Sequence, residues 1–376
     1  MIRKTMIKTI FTIIFFLFLL IVTQTQSMKS TGINFYYVDD DYNSTTLGYE
    51  VVRFNKIQDA LNIAQNGDKI IVYNGTYNEN ILINKSIDIT GENPYTTIVI
   101  GNHDEDTILI NVGNIAISNF TITTNINNSN KSGLKIFSDN NTIKKNIITG
   151  YNIGIHLQDS CYNTIQDNNI SKNNYGIGIE YCNCSNNIYE NLVNKNNITG
   201  IYLSYSTSGN VFNNSMFENK YGIALSYCRN ITVKNNKLAN NSNGLNLYSC
   251  NNISIFNNSI FNSDYGIKMY TLNRNNVING NIISNNSFQG ILLYLNNKNT
   301  TIIHNIIAHS DTGIYISSQS TDNNLYGNIF VNTNKKIYEL SINNVENNLY
   351  FFILIFIIEI VVLIISISIY IKKVKK

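Results

Sequence analysis

The sequence is short of the residues that most globular folds and many active sites depend on. Among 376 residues proline occurs once and tryptophan never, histidine occurs four times, and charged residues make up only 14%. Such scarcity of proline and tryptophan suits a chain built from repeated units. The formal net charge is +3, and the basic residues gather mainly at the two ends of the chain, which leaves no basic face for nucleic acid. Between the termini the apolar residues come in short bursts separated by Asn, Ser, Gly and Thr, and no burst reaches the ten or so residues of a helix.

What is present in quantity is one pattern, written nine times from Gly133 to Asn332 at a spacing of about 22 residues. Each copy opens on a glycine: Gly133, Gly154, Gly176, Gly200, Gly222, Gly244, Gly266, Gly290 and Gly313. An apolar, any, apolar triplet follows, such as Ile223-Ala224-Leu225, with the alternation of a strand. Further along each copy stands an asparagine: Asn146, Asn168, Asn191, Asn214, Asn236, Asn258, Asn281, Asn305 and Asn328. It is preceded at three residues and followed at two by an aliphatic or large apolar side chain, as in Val233-Lys234-Asn235-Asn236-Lys237-Leu238.

Each copy therefore reads as two or three short strands that cannot bury their aliphatic side chains alone. Stacking the copies, with each strand paired to its equivalents about 4.8 Å above and below, buries them in a continuous column. The expectation is an all-β chain, a parallel β-solenoid of about a dozen coils and roughly 60 Å in length. The asparagine column predicts a ladder in which each side-chain amide bonds its neighbour on the next coil, satisfying groups that are costly to bury. The glycines read as positions where only a missing Cβ lets the backbone turn.

The repeat G-[IL]-x-[IL] followed by [IV]-x-x-N-x-[IL] resembles the right-handed parallel β-helix repeats of the pectin-lyase-like superfamily, in particular its NosD-like and CASH (carbohydrate-binding and sugar-hydrolysis) domains. The string Ile57-Gln58-Asp59-Ala60-Leu61, Gly67-Asp68-Lys69-Ile70, Gly75-Thr76-Tyr77 and Ile83-Asn84-Lys85-Ser86-Ile87 resembles the N-terminal signature of the same superfamily. The resemblance implies a right-handed β-helix and points to surface adhesin-like members, to polysaccharide lyases, hydrolases and epimerases, or to copper handling.

The flanks complete the layout. Residues 1–26 combine Arg3, Lys4 and Lys8 with an apolar run from Ile10 to Val22, the pattern of a secretory signal or an uncleaved N-terminal anchor. Residues 27–132 hold an N-terminal cap and the first, less regular coils, and 133–340 the regular ones. From Asn55 to Gln65 the period changes to 3.6, with Ile57, Ala60, Leu61 and Ala64 on one face and Asn55 and Gln58 as a capping box, which predicts a short helix plugging the open end of the solenoid. Asp39, Asp40 and Asp41 read as a solvated turn without calcium-loop spacing. After a linker at 341–348, residues 349–371 are nearly pure Phe, Ile, Leu and Val, long enough to span a bilayer. The basic tail at 372–376 predicts a cytoplasmic end and a β-helix outside the cell membrane. Glu359 lies in mid-span and reads as protonated or paired with a partner helix. About seventeen N-x-[ST] triplets, many expected by chance in so Asn-rich a chain, give modest support to glycosylation.

Three sets of residues are candidates for function. Tyr181, Tyr205 and Tyr227 each stand five after their glycine, and Tyr248, Tyr270 and Tyr294 four after theirs. Strand parity sends the two sets to opposite faces unless a turn intervenes; a continuous aromatic track would suit a sugar chain. His156, Asp159 and Glu180 form the only local cluster of titratable groups in the repeats and are the candidate catalytic set of a polysaccharide-modifying enzyme. The motifs of the polygalacturonases, Asp-Asp, Ser-His-Gly and Arg-Ile-Lys, do not occur in the repeats. Cys161, Cys182 and Cys184 could supply soft ligands for Cu(I) in the NosD-like reading. Cys182, Cys228 and Cys250, each six after their glycine, read as a stacked file of small residues with Ser206 between; a Cys228–Cys250 disulfide is geometrically open, and an odd count leaves at least one free thiol. The favoured reading is a membrane-anchored surface module binding a polysaccharide or cell-surface glycan, with no cofactor, no metal and no nucleic acid, and with the oligomeric state left open.

Overall fold

The computed structural model describes residues 32–102, 105–125 and 130–340, together with the backbone of a short strand at Val345–Glu346. The chain divides into two units, Met1–Asn34 and Phe35–Lys376, and the architecture below is that of the second. The signal expected over 1–26 and the membrane span expected over 349–371 lie outside the described residues. Among the described residues no helix is long and apolar enough to cross a membrane.

The fold is a parallel β-helix with three faces. Face A is a sheet of 15 strands, faces B and C of 12 each, and within each sheet successive strands come from successive coils. One coil runs through face C (Tyr221–Ser226), face A (Thr232–Lys234) and face B (Lys237–Ala239) before returning to face C at Asn243. All pairings are parallel and in register, so like residues stack: Ile201 on Ile223 on Leu245 in face C, and Val211 on Val233 on Ile255 in face A. The aliphatic columns read from the sequence are the core. Ile143, Ile165, Ile188, Val211, Val233, Ile148, Ile170, Val193 and Leu238 are all fully buried.

The predicted asparagine ladder stands at the corner between faces A and B. In it, the backbone N–H of Asn191 donates to Asn214 Oδ1 (3.0 Å), as does Asn191 Nδ2 (3.0 Å). Asn191 Nδ2 also donates to the carbonyls of Ile165 and Tyr189. A second ladder, at the corner between faces B and C, was not read from the sequence: Asn173, Asn196, Asn219 and Asn241 repeat the same bonds five residues further on.

The glycine expectation is corrected. The nine repeat glycines do not make turns; they lie inside face C strands, and none has a positive φ. A Cβ on Gly222 would lie 2.6 Å from the Gly244 carbonyl oxygen and 2.8 Å from Leu238 Cδ2, so the glycine lets face C close onto the face B core. The turns are made by residues that are mostly not glycine. Lys145, Asp167, Glu190, Asn213 and Asn235, each just before a ladder asparagine, have φ between 53° and 57°. That left-handed conformation costs non-glycine residues energy, which the hydrogen bonds of the neighbouring asparagine offset.

A helix, α1 (Ile57–Ile63), caps the N-terminal end, burying Ile57, Ala60 and Leu61 as expected. The predicted capping box does not form. Instead the Glu79 carboxylate accepts from the N–H groups of Ile57 (2.9 Å) and Gln58 (3.0 Å), while Gln58 pairs with the backbone of Leu82. At the other end Lys85 Nζ donates to the carbonyls of Leu61, Asn62 and Ala64. An anion at the start and a cation at the end oppose the helix dipole with the favourable signs. Asp39, Asp40 and Asp41 form the only group of three His, Cys, Asp or Glu side chains among the described residues close enough to share an ion. Their carboxylates also take local bonds, Asp40 from the Thr76 N–H and Asp39 from the Asp41 N–H.

Candidate functional site

Outward-facing residues on face C fall into three columns. The register aligns Ile153, Tyr175, Thr199, Tyr221 and Asn243 in the first, His156, Gly178, Tyr202, Ala224 and Asn246 in the second, and Gln158, Glu180, Ser204, Ser226 and Tyr248 in the third. Interior columns repeat their residue type from coil to coil, but these do not. Small side chains at Ala224 and Ser226 leave a depression among large neighbours. The result is a groove of about 530 Å³ whose wall includes Tyr175, Tyr202, Tyr221 and Tyr248, with Glu180, Asn152, Thr199, Ser226 and Asn246 supplying polar atoms.

The structure brings together two of the three candidate catalytic residues. His156 Nε2 and Glu180 Oε2 are 3.0 Å apart, and Glu180 lines the groove. The partners sit on a diagonal, because Gly178 occupies the place directly above His156 and has no side chain in the way. Burial pushes the His156 pKa below its ordinary value, against the opposing pull of Glu180, so the ring is neutral near pH 7 and its Nε2–H donates to the carboxylate. Asp159 is not part of this pair. It lies at the corner leaving face C with φ 49°, its backbone N–H donates to the Glu180 carbonyl, and its side chain is exposed and does not line the groove.

All six candidate tyrosines form one track. Tyr181, Tyr205 and Tyr227 are left-handed corner residues with φ of 57°, 48° and 55°, and that turn breaks the strand alternation that separated the two sets on paper. Their rings stack at 5.3 and 4.8 Å with interplanar angles of 8° and 7°. Tyr227 then meets Tyr248 edge-on at 70°, and contacts continue to Tyr270 and Tyr294. In the stacked part Tyr205 lies between Tyr181 and Tyr227, each of which turns one ring face to it. Tyr248, where the orientation changes, is the member of the track that lines the groove. Tyr175, Tyr202 and Tyr221 were missed by sequence reasoning; the visible signal was a tyrosine immediately before the repeat glycine at Tyr175-Gly176 and Tyr221-Gly222.

The cysteines correct the copper expectation. Cys161 and Cys184 form a disulfide across adjacent coils, with Cα atoms 5.4 Å apart, which removes two of the three proposed thiolate ligands. Cys182, Cys228 and Cys250 are free and buried, so the odd count leaves three thiols and no Cys228–Cys250 disulfide. The last two donate to backbone carbonyls in the expected file of small residues.

No curated protein matches the chain in sequence. Two family profiles do: "Periplasmic copper-binding protein (NosD)" over residues 195–350 and "Right handed beta helix region" over residues 96–238. Among described residues of the first segment no His, Cys, Asp and Glu side chains form a three-membered cluster, and its two thiols are sealed in the core, so the residues present do not fit a copper site. Solved structures share the fold. The A-module of a mannuronan C-5 epimerase from Azotobacter vinelandii is 15% identical with a TM-score of 0.59, covering 77% of this chain and 91% of its own. The Dettilon tailspike protein is 13% identical with a TM-score of 0.64, covering 79% and 68%. The DFA-IIIase of Arthrobacter chlorophenolicus A6 without its lid is 12% identical with a TM-score of 0.59, covering 78% and 94%. Repeat pattern, coil geometry and these matches agree on the fold, a right-handed parallel β-helix, with likeness to the NosD profile in its C-terminal half.

Proposed function

We propose that this protein is a cell-surface module that binds a glycan in the face C groove and does not cleave it. The observation that carries the reading is the groove itself, an elongated depression lined by four tyrosines and several amide and hydroxyl groups, the combination that packs against the apolar faces and bonds the hydroxyls of a sugar chain. From Glu180 to Tyr248 it spans three coil steps, about 14 Å. The epimerase module that shares the fold is named for a polysaccharide, which supports the same class of partner. A non-catalytic role is favoured because two-carboxylate glycoside hydrolysis requires a convergent pair, whereas the groove holds one carboxylate, Glu180, partnered by a neutral histidine. The apolar segment 349–371 and the lysines after it support anchoring with the β-helix outside the cell.

The test is to incubate the full-length chain with neutral and acidic polysaccharides, with and without Ca²⁺, and to score retention and polymer length. Retention without shortening is expected, and it should be lost in a Tyr202→Ser, Tyr248→Ser variant that keeps its fold. Shortened polymer would overturn the non-catalytic reading and direct attention to Glu180 and His156. Protease accessibility of the β-helix on intact cells tests the orientation.

A further inference from the structure

We infer that the glycan taken by this groove carries free amino groups, a glucosamine-type chain in its ammonium form, with Glu180 as the counter-ion. The inference rests on the reading of the groove as a glycan site and adds the chemical class of the sugar.

The charge and the chemistry of the lining both lead there. No lysine or arginine lines the groove, and its one charged group is Glu180. One oxygen of that carboxylate, Oε2, takes the bond from His156; Oε1 has no protein partner, on a side chain that is 29% exposed toward the groove. A carboxylate so held has one acceptor oxygen left to give. Charge-assisted bonds to such a group are about twice as strong as neutral ones. The aromatic wall adds to this, because the rings of Tyr175, Tyr202 and Tyr248 attract a cation through their quadrupoles. The neighbouring lysines lie over aromatic rings: Lys135, paired with His156 across the sheet, over Phe137 at 4.9 Å, Lys268, one coil past Asn246, over Tyr265 at 4.5 Å, and Lys220 over the groove residue Tyr221 at 5.6 Å.

A polyuronate in the same place would set its carboxylates against Glu180 with no lining cation to neutralise either. The cations that could receive an acidic chain, Arg229, Arg274 and Lys298, stand in a separate column beyond the corner, bridged coil to coil through Asn251, and do not line the groove. That strip is the competing surface, and its use would be visible in the same experiment.

The experiment is calorimetric titration of the full-length chain with glucosamine oligomers, with N-acetylglucosamine oligomers of the same length, and with oligogalacturonides, at a pH where the amines are charged. Glucosamine oligomers should bind at least tenfold more tightly than their N-acetylated counterparts, and the preference should shrink as salt is raised. Glu180→Gln should abolish the preference, with an unchanged circular dichroism spectrum and melting temperature showing that the fold is intact. Equal or tighter binding of the N-acetylated chain overturns the inference and leaves the glycan reading standing. Preference for oligogalacturonide overturns it in favour of the corner cations, a preference that survives Glu180→Gln overturns the role of the carboxylate, and failure to bind any of the three removes both readings.

Discussion

The interior of this β-helix and the outer surface of its face C are built on the same strands and obey opposite rules. Inside, Ile201, Ile223, Leu245 and Ile267 follow one another with little change, and from Asn146 to Asn328 each asparagine of the first ladder meets another. Outside, one residue along the same strands, the succession is Gly178, Tyr202, Ala224, Asn246 and Lys268. Uniform columns make the coils interchangeable and hold the rod together, since each coil contacts only its neighbours. Irregular columns make one place on the rod unlike the others, and a binding site is such a place. The tyrosines show the contrast within one residue type. Tyr181, Tyr205 and Tyr227 spend their ring faces on each other and act as a surface ladder, whereas Tyr202, Tyr221 and Tyr248 border a depression.

The comparison can be broken most forcefully from the inside. Gly222→Ala places a methyl group against the Gly244 carbonyl and Leu238, and should cost about 3 kcal/mol or more in urea unfolding. Alanine at an outward position of the adjacent face C strand, such as Asn246, should change stability by no more than about 0.5 kcal/mol. Asn214→Ala removes the acceptor for the Asn191 N–H and leaves that buried donor unpaired, at about 2 to 3 kcal/mol.

The outer surface should respond in the opposite way. Tyr202→Ser with Tyr248→Ser should lower glycan affinity at least tenfold, about 1.4 kcal/mol, with little change in melting temperature. The corner triple variant of Tyr181, Tyr205 and Tyr227 to Ser should do the reverse, losing about 1 kcal/mol of stability while retaining affinity. Equal loss of affinity in both variants would dissolve the distinction. A gain is also expected: Ser263 interrupts the second asparagine ladder, its Oγ has no partner and it does not offer Asn241 the acceptor that Asn241 offers Asn219, so Ser263→Asn should stabilise the rod by about 1 kcal/mol.

The smallest effect is on pH dependence. His156 is held below its ordinary pKa of 6.5, so the unfolded chain binds a proton more readily than the folded one. Stability is therefore complete above about pH 6.5 and falls as pH drops toward the depressed folded value. Glu79, whose pKa is raised by burial, acts with the opposite sign, its contribution being fully present below 4.5 and lost as pH rises through its elevated folded value. The difference between wild type and His156→Gln across pH 7 to 5 isolates the histidine, because Glu79 is common to both. A flat difference would show that the imidazole is no more buried from protons in the folded chain than in the unfolded one.

The sequence by itself determined the β-helix, its core columns, the asparagine ladder and the apolar face of the cap helix, because all of these are periodic. A repeated position needs the same side chain each time, and a fixed spacing announces it. Only the tertiary structure decided which residues cap that helix, since Glu79 and Lys85 reach it from other segments, and which cysteines pair, since Cys161 and Cys184 lie at a corner whose stagger the spacing does not reveal. It also decided that the glycines are places of close packing rather than turns, and that six tyrosines form one track while only Tyr248 among them borders the groove. The physical reason is the left-handed corner residue. It rotates the side chains that follow out of strand alternation, and a period-two reading cannot follow the chain around that turn.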